Sequence, residues 1–598
     1  MPLRRRNEQV RWIARKIYGR PHRVRYAHGQ SSSVGWRFPD ASIPPSADHV
    51  RELGLPLLYR AAQHAKNNRI LLNGWPYEDG NRNIVSYQQV LSRASLIKQE
   101  LSRPSYSQER GHVAQLCVPG WEYISSLWGS WAAGHACVPL AISQKVPEIE
   151  HVLFDSQPEV ILLGGGTALE GFPSATQRPP NQDMLLKAAD NLGMQGRILR
   201  LEDLFSHKAN ADTDEYFELG AGNADLDSPA LVMYTSGTTG KPKGVVSTHR
   251  GIFHQVTDLV DSWQWKCDDV ALHVLPLHHV HGVINILSCA AYCGARLDFQ
   301  PFDAINLWST WASVSELSPR QTVFMAVPTI FAKLLETAEN LPEATVRAAV
   351  GSTLKPMRLM VSGSAALPVS VLERWRELTG HTLLERYGMT EFAMALSNPY
   401  KPVTERHPGH VGLPLPSASV RLVDDETGAI ILEANRSGNL QVKGPIMFQK
   451  YLNRPEATRE AFDVDGFFQT GDVAEFNDEI SSYRILGRQS TDILKVGGYK
   501  LSALDIEREI LEHPDVAEVA IVGVADETWG ERVGMLCRLK VGSSRMTLES
   551  LRHWCETRMA KYKVPSKLRV VKEIPKNAMG KVNKKSLVKL FEGDDETI

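Results

Sequence analysis

Cysteine is scarce: the 598 residues hold seven, an odd number with no CxxC pair. That leaves no basis for a disulfide framework or a ribbon-type zinc site, and reads as buried thiols in a reducing compartment. Net charge is nearly absent as well, at -1, so the bulk balance does not ask for nucleic acid as a partner. No run approaches the ~18 consecutive apolar residues of a membrane-spanning helix, and stable membrane insertion is not expected. Tandem repeats and low-complexity tracts are missing, which sets aside solenoids and disordered arrays. With 43% hydrophobic and 23% charged residues, the chain has the composition of a globular enzyme. Its length exceeds what one hydrophobic core supports, so several subdomains are expected. The oligomeric state is not legible.

Charge of one sign is concentrated in one place. Arg4, Arg5, Arg6, Arg11, Arg15, Lys16, Arg20, Arg23 and Arg25 stand against the single acid Glu8. Val10, Ile13 and Ile17 share one helical face before Pro21, and serines follow at Ser31 to Ser33. A basic amphipathic helix followed by a Ser-rich stretch matches a mitochondrial presequence, with a solvated basic tail as the alternative. Residues 1–48 are therefore read as a leader, and the mitochondrial matrix as the compartment, against the cytoplasm.

Strand-like runs such as Val113 to Val118, Val160 to Leu163 and Met357 to Val361 alternate with longer amphipathic segments, which predicts an α/β architecture. From about 409 to 486 short strands separated by Gly and Asp turns predict a β-rich part. A smaller unit follows, with a helix over 503–513 and a strand over 516–524.

The most informative segment is Thr235-Ser236-Gly237-Thr238-Thr239-Gly240-Lys241-Pro242-Lys243-Gly244. Hydroxyls, flexible backbone N–H groups and two lysines along one arc suit a polyphosphate. The apolar run Ala230 to Tyr234 places it at a strand end, and Ser247-Thr248-His249 offers a helix start. It is not the P-loop of kinases and GTPases, because Thr235 and Pro242 occupy positions that pattern reserves for Gly and for Ser or Thr.

With this loop the chain resembles the adenylate-forming superfamily, which includes acyl-CoA synthetases, firefly luciferase and peptide-synthetase adenylation domains. The resemblance runs from about residue 50 to the C-terminus, with further motifs in family order. It implies a large N-terminal adenylation domain (49–488, αβ subdomains plus the β-rich part) and a smaller, mobile α+β domain (489–598). Small-molecule substrates are implied: ATP with Mg²⁺, coenzyme A and a carboxylic acid.

The motifs assign roles. Thr235 and the rest of its loop through Lys243 hold phosphates. Ser364, Ala365 and Ala366, in Val361 to Pro368, form the adenine wall. In Glu385-Arg386-Tyr387-Gly388-Met389-Thr390-Glu391, Tyr387 and Gly388 meet adenine, Thr390 the α-phosphate and Glu391 magnesium. Asp472, in Gly466 to Asp472, accepts the ribose hydroxyls, and Arg488 contacts ribose and phosphate. Lys581, in Ile574 to Val582, is the adenylation lysine. Gly497, Gly498 and Tyr499 face the pantetheine tunnel after a domain rotation about 489–492. Leu277-His278-His279-Val280-His281-Gly282 invites a zinc reading, but the resemblance makes it an acyl-pocket gate, best matched by His279.

Arg386 selects the acid. Relatives acting on aromatic or fatty acids often carry a small residue there, and a guanidinium grips a carboxylate through two parallel hydrogen bonds. The two motifs around Ser364 and Arg386 look closest to malonyl-CoA synthetases, including a mitochondrial member. Malonate or methylmalonate is the expected acid, with Arg296 as a second contact. A structural pairing of Arg386 with Glu385 is the alternative. Competing functions are a medium-chain fatty acyl-CoA ligase, an amino-acid-activating module, a luciferase-like oxygenase and a scaffold on a dead ligase. The module is disfavoured because so few residues follow Lys581. The scaffold is disfavoured because Lys243, Glu391, Asp472, Arg488 and Lys581 are all retained.

Overall fold

The computed structural model describes residues 55–73, 84–103, 111–165, 179–206, 219, 225–235, 242–313, 320–540, 542–543, 546–576 and 582–591. The leader, Ser236 to Lys241 and Lys581 lie outside them.

Two largely parallel sheets carry the N-terminal part. The seven-stranded sheet runs Lys450–Tyr451, Gly244–Thr248, Pro229–Tyr234, Ala136–Pro139, His112–Leu116, Val160–Leu163, Ile198–Arg200. The nine-stranded sheet has a parallel centre of Leu384–Tyr387, Leu359–Ser362, Val323–Ala326, Val270–His273 and Arg296–Phe299. The four-residue cores Leu359–Ser362 and Val323–Ala326 are buried at every position, as parallel strands covered on both faces require. Intervening helices begin on local signals: Ser86 and Gln89 form a reciprocal capping box for Tyr87–Leu101, and Thr248 accepts from the Gly251 N–H to start His249–Trp263. Such a cap stabilises a helix by about 1 kcal/mol.

The β-rich part is a four-stranded antiparallel sheet, Ser419–Val423, Gly438–Lys443, Phe468–Asn477 and Ser482–Arg488. Beyond it, a five-stranded sheet with helices Ala503–Ile510 and Leu548–Cys555 has its own apolar packing. Leu494, Ile506, Met535 and Leu551 cluster on one side of this sheet, and Val522, Leu536, Leu587 and Phe591 on the other, with no residue before 494 in either cluster. The chain is therefore mixed α/β, with a large N-terminal and a small C-terminal part. The predicted helix over 503–513 stops at Ile510, and the strand over 516–524 runs on to Asp526. No described helix is long and apolar enough to cross a membrane.

Candidate active site

The phosphate loop joins two paired strands. Strand Pro229–Tyr234 pairs antiparallel with Gly244–Thr248, and the Thr235 N–H donates to the Lys243 carbonyl at 3.0 Å. Sequence reading placed only a helix start after the loop. The strand it missed, Val-Val-Ser-Thr after Gly244, is short and half polar, and only its long-range partner makes it a strand. That geometry fixes both ends of the loop, Thr235 and Lys243, at the mouth of one cleft. The Lys243 ammonium lies 5.0 Å from the centre of the Tyr451 ring, whose hydroxyl donates to Glu391 Oε1 at 2.8 Å.

The carboxyl ends of the parallel strands open on the same cleft, where α/β folds place ligands. At the end of Leu384–Tyr387 the chain turns so tightly that a Cβ on Gly388 would sit 1.7 Å from the Ala393 carbonyl oxygen. Only glycine fits there. Tyr387 donates its hydroxyl to Asp472, and Arg488 Nε contacts the other Asp472 oxygen at 2.8 Å. Cross-strand register puts Asp472 opposite Arg488, so the 16-residue sequence offset becomes direct contact. Burial pushes the Asp472 carboxyl above its ordinary value, while Arg488 and the Tyr387 hydroxyl oppose the shift. Ser364, Ala365, Ala366 and Thr390 also line the cleft.

Arg386 lines the same cleft. Its side chain is 5% exposed and enters the space over Gly363, where a Cβ would lie 2.5 Å from the guanidinium. Ser364, at φ +71°, accepts from Arg386 at 3.2 Å and lies 3.3 Å from His281 Nδ1. A serine held in the left-handed region is uncommon and costs of order 1 kcal/mol. The strain places one hydroxyl between two functional groups. His281 begins a π-helical turn, His281–Ser288, a geometry frequent at functional sites and not legible in sequence. Burial and the Arg386 charge hold His281 well below its usual pKa, so it is neutral. His279 lines the cleft too, against His278 with ring centres 4.2 Å apart. Sequence reading chose His279 and passed over His281; the alternation in His279-Val280-His281 was the available signal.

Arg386 has no ion pair among the described residues, and its Nε has no hydrogen-bond partner. Burial lowers its pKa to about 9. Further cleft-lining atoms are buried without a hydrogen-bond partner among the described residues, His281 Nε2, Ser362 Oγ and Gln300 Nε2 among them. Unsatisfied buried donors are costly, and a polar ligand or water relieves them. The Glu385 alternative fails on strand geometry. Successive residues point to opposite faces, and Glu385 turns away to accept the Gly409 N–H at 2.8 Å.

Arg296 is corrected. It is the first residue of Arg296–Phe299, at the strand end opposite the cleft, and is paired with Asp298 at 3.1 Å. A lone arginine in sequence carries no information about which end of a strand it occupies.

Glu385 yields a stability prediction. Burial raises its carboxyl to about 7, opposed by the Gly409 hydrogen bond and the nearby Arg508 charge. Because the folded value lies above the unfolded one, the contribution of this group to stability is fully present below pH ~4.5 and declines as pH rises toward 7, by roughly 3 kcal/mol. Glu385→Gln removes that dependence. In urea unfolding at pH 4.5, 6 and 7.5, the variant is expected to gain on the wild type at each step, and parallel profiles would refute the assignment.

Magnesium fits Glu391. The carboxylate is buried at the cleft, oriented by Tyr451 and not ion-paired among the described residues. One hard carboxylate plus phosphate oxygens and water is the usual Mg²⁺ set at nucleotide sites. No described cluster of three His, Cys, Asp or Glu side chains could hold a metal ion by itself.

The small C-terminal part closes the cleft. Lys576 and Val582, which flank Lys581, bridge to each other and line it. Lys584 is held at 2.7 Å by both Asp492 and Glu507, and Asp492 accepts the Arg488 N–H at 2.9 Å. Gly497, Gly498 and Tyr499 stand apart from the cleft and are exposed. At about 2390 Å³ the cleft exceeds a single-ligand pocket and accommodates a nucleotide with a second substrate.

Comparison with known proteins agrees with this geometry. Residues 58–452 match the AMP-binding enzyme family model, and residues 505–581 match the AMP-binding enzyme C-terminal domain. The mitochondrial malonate–CoA ligase ACSF3 of Xenopus laevis is 42% identical over 84% of this chain and 86% of its own length. ATP-bound MatB from Rhodopseudomonas palustris superposes with a TM-score of 0.76 at 29% identity, covering 90% of this chain and 99% of that one. A malonyl-CoA ligase ternary product complex with methylmalonyl-CoA and AMP gives 0.57 at 32% identity, over 87% and 100%.

Proposed function

Since the chain belongs to the family of AMP-binding enzymes, we propose that it is an AMP-forming malonate–CoA ligase: it joins malonate, and by extension methylmalonate, to coenzyme A using ATP. The carrying observation is Arg386, a buried guanidinium at the end of the acyl pocket with no carboxylate beside it among the described residues. A second substrate carboxylate supplies the missing partner, with Ser364 and neutral His281 fixing its orientation. A medium-chain fatty acid would instead leave the charge desolvated and unpaired.

Two half reactions share the cleft. The free carboxylate oxygen of malonate attacks the α-phosphorus of ATP, and the bond to pyrophosphate breaks. Lys243 and the loop before it hold the phosphates, Thr390 meets the α-phosphate, and Asp472 turns from Tyr387 to the ribose hydroxyls. Glu391 would hold a magnesium ion, which would supply neutralisation of phosphate charge. Lys581 offsets the negative charge that builds between the carboxylate and the α-phosphate in the transition state. The thiol sulfur of coenzyme A then attacks the acyl carbon of the mixed anhydride, and the carbon–oxygen bond to AMP breaks.

The second step requires Gly497, Gly498 and Tyr499 at the cleft, so the C-terminal domain rotates about the 489–492 seam. That Lys576 and Val582, on either side of Lys581, line the cleft supports reading the present arrangement as that of the first step. The greater likeness to an ATP-bound relative than to a product complex of higher identity supports this. Breaking the Arg488–Asp492 contact accompanies the turn. The basic leader and the mitochondrial relative support the matrix as the compartment.

Pyrophosphate release across a panel of mono- and dicarboxylates, with the thioester identified by mass, tests the reading. Malonate is expected to give the highest kcat/KM. A butyrate or octanoate optimum would overturn the diacid, and no pyrophosphate with any acid would overturn the enzyme.

A further inference from the structure

We infer that Tyr451 is a positioning residue for the phosphate end of the site, tying the magnesium-binding carboxylate of Glu391 to the phosphate lysine Lys243 in one frame. This rests on the ligase reading. Glu391 lies between the strands Leu384–Tyr387 and Leu396–Ser397 of the nine-stranded sheet, Lys243 precedes the second hairpin strand of the seven-stranded sheet, and 147 residues separate them in sequence. No backbone hydrogen bond joins the two residues directly. Tyr451 touches both, through its hydroxyl to Glu391 Oε1 at 2.8 Å and its ring face to the Lys243 ammonium at 5.0 Å.

The backbone around Tyr451 is clamped. Lys450–Tyr451 is the edge strand beside Gly244–Thr248, with Tyr451 opposite Val245. The Leu452 N–H donates to Gly244 O at 2.7 Å and the Gln449 N–H to Val246 O at 2.8 Å. The Phe448 N–H donates to the Glu391 carbonyl at 2.7 Å, and the Tyr451 N–H to Thr458 Oγ1 at 3.0 Å. The ring packs on Phe448 at 4.7 Å and is 8% exposed. A core tyrosine that only fills space finds a backbone acceptor or solvent; this one spends its hydrogen bond on a buried carboxylate that forms no ion pair among the described residues.

The geometry has a functional consequence. A donor on Oε1 restrains the carboxylate plane and keeps Oε2 available for a cation that Glu391 would hold. The cation–π contact restrains the lysine ammonium beside the same tyrosine, so that both charges would face one phosphate chain.

Tyr451→Phe deletes the hydroxyl and keeps the ring, and Tyr451→Leu removes both. With full-length protein and α,β-methylene-ATP, Mn²⁺ affinity measured by electron paramagnetic resonance is expected to fall about 10-fold in Tyr451→Phe. Pyrophosphate release with malonate should slow by about 10- to 100-fold, with the malonate KM unchanged. Thioester formation from synthetic malonyl adenylate and coenzyme A should stay within about twofold of wild type, because no triphosphate is involved. Tyr451→Leu should further weaken ATP binding in EDTA, where only the lysine contact is read.

Unchanged Mn²⁺ affinity in a folded Tyr451→Phe protein would overturn the assignment. Equal slowing of both half reactions would also overturn it, by showing a general packing role. Should phenylalanine prevent folding, Tyr451→Leu, which also removes the hydroxyl, takes its place in the same two measurements. Wild-type protein that binds Mn²⁺ and nucleotide yet releases no pyrophosphate with malonate would refute the ligase reading and leave the Tyr451 result standing.

Discussion

Arg386→Ala is expected to lower kcat/KM for malonate by about 100- to 1000-fold, nearly all of it in KM, while butyrate turnover stays the same or improves. The magnitude follows from the environment of the guanidinium. It is buried, has no protein carboxylate partner among the described residues, and is desolvated enough to bring its pKa to about 9. Truncating one member of a buried, hydrogen-bonded charge pair typically costs about 2–5 kcal/mol, because the other member is left desolvated and alone. Here that other member is the second carboxylate of malonate, which butyrate lacks. Arg386→Lys keeps the charge without the planar fork and is expected to fall between alanine and wild type. Steady-state kinetics with both acids decide it. Equal losses on malonate and butyrate would show that Arg386 merely holds Ser364 and Gly363 in shape.

Lys581→Ala is expected to slow malonyl-adenylate formation by about 100- to 1000-fold, the scale on which one transition-state charge stabiliser acts. ATP binding should change little, since Lys243 and its loop carry the ground-state phosphate contacts. The discriminating measurement is a comparison of half reactions. Single-turnover pyrophosphate release should collapse, whereas synthetic malonyl adenylate and coenzyme A should give the thioester at close to the wild-type rate. Loss of both steps would mean that the lysine loop acts on the fold of the C-terminal domain, whose Lys584 lies three residues on and is held by Asp492 and Glu507.

Much of the site was legible because its motifs are contiguous. Thr235 to Lys243, Ser364 to Ala366, and Tyr387 to Glu391 each compress several roles into a short run, and the ends or whole of each reach one cleft. What escaped was set by contacts between distant segments. Tyr451 looks like any aromatic in Lys450-Tyr451-Leu452 until an edge pairing with Val245 brings it under Lys243. His281 separates from His279 only because a π-helical turn points one ring at Ser364. Arg296 misled because neither strand direction nor its Asp298 partner can be read from a lone arginine.

By itself the sequence determined the alternation that builds parallel sheets and offered a loop whose residue types suit a polyphosphate, while its family resemblance supplied the expectations of a carboxylate for magnesium and an arginine for a second acid group. Tertiary structure decided everything that depends on which groups share a space. It emptied the surroundings of Arg386 of protein carboxylates among the described residues, turned Glu385 to the opposite face, and set Asp472 against Arg488. The reason is physical: identity and local spacing set what a side chain can do, while desolvation and pairing, which set how strongly it does it, arise only when remote segments are brought into contact.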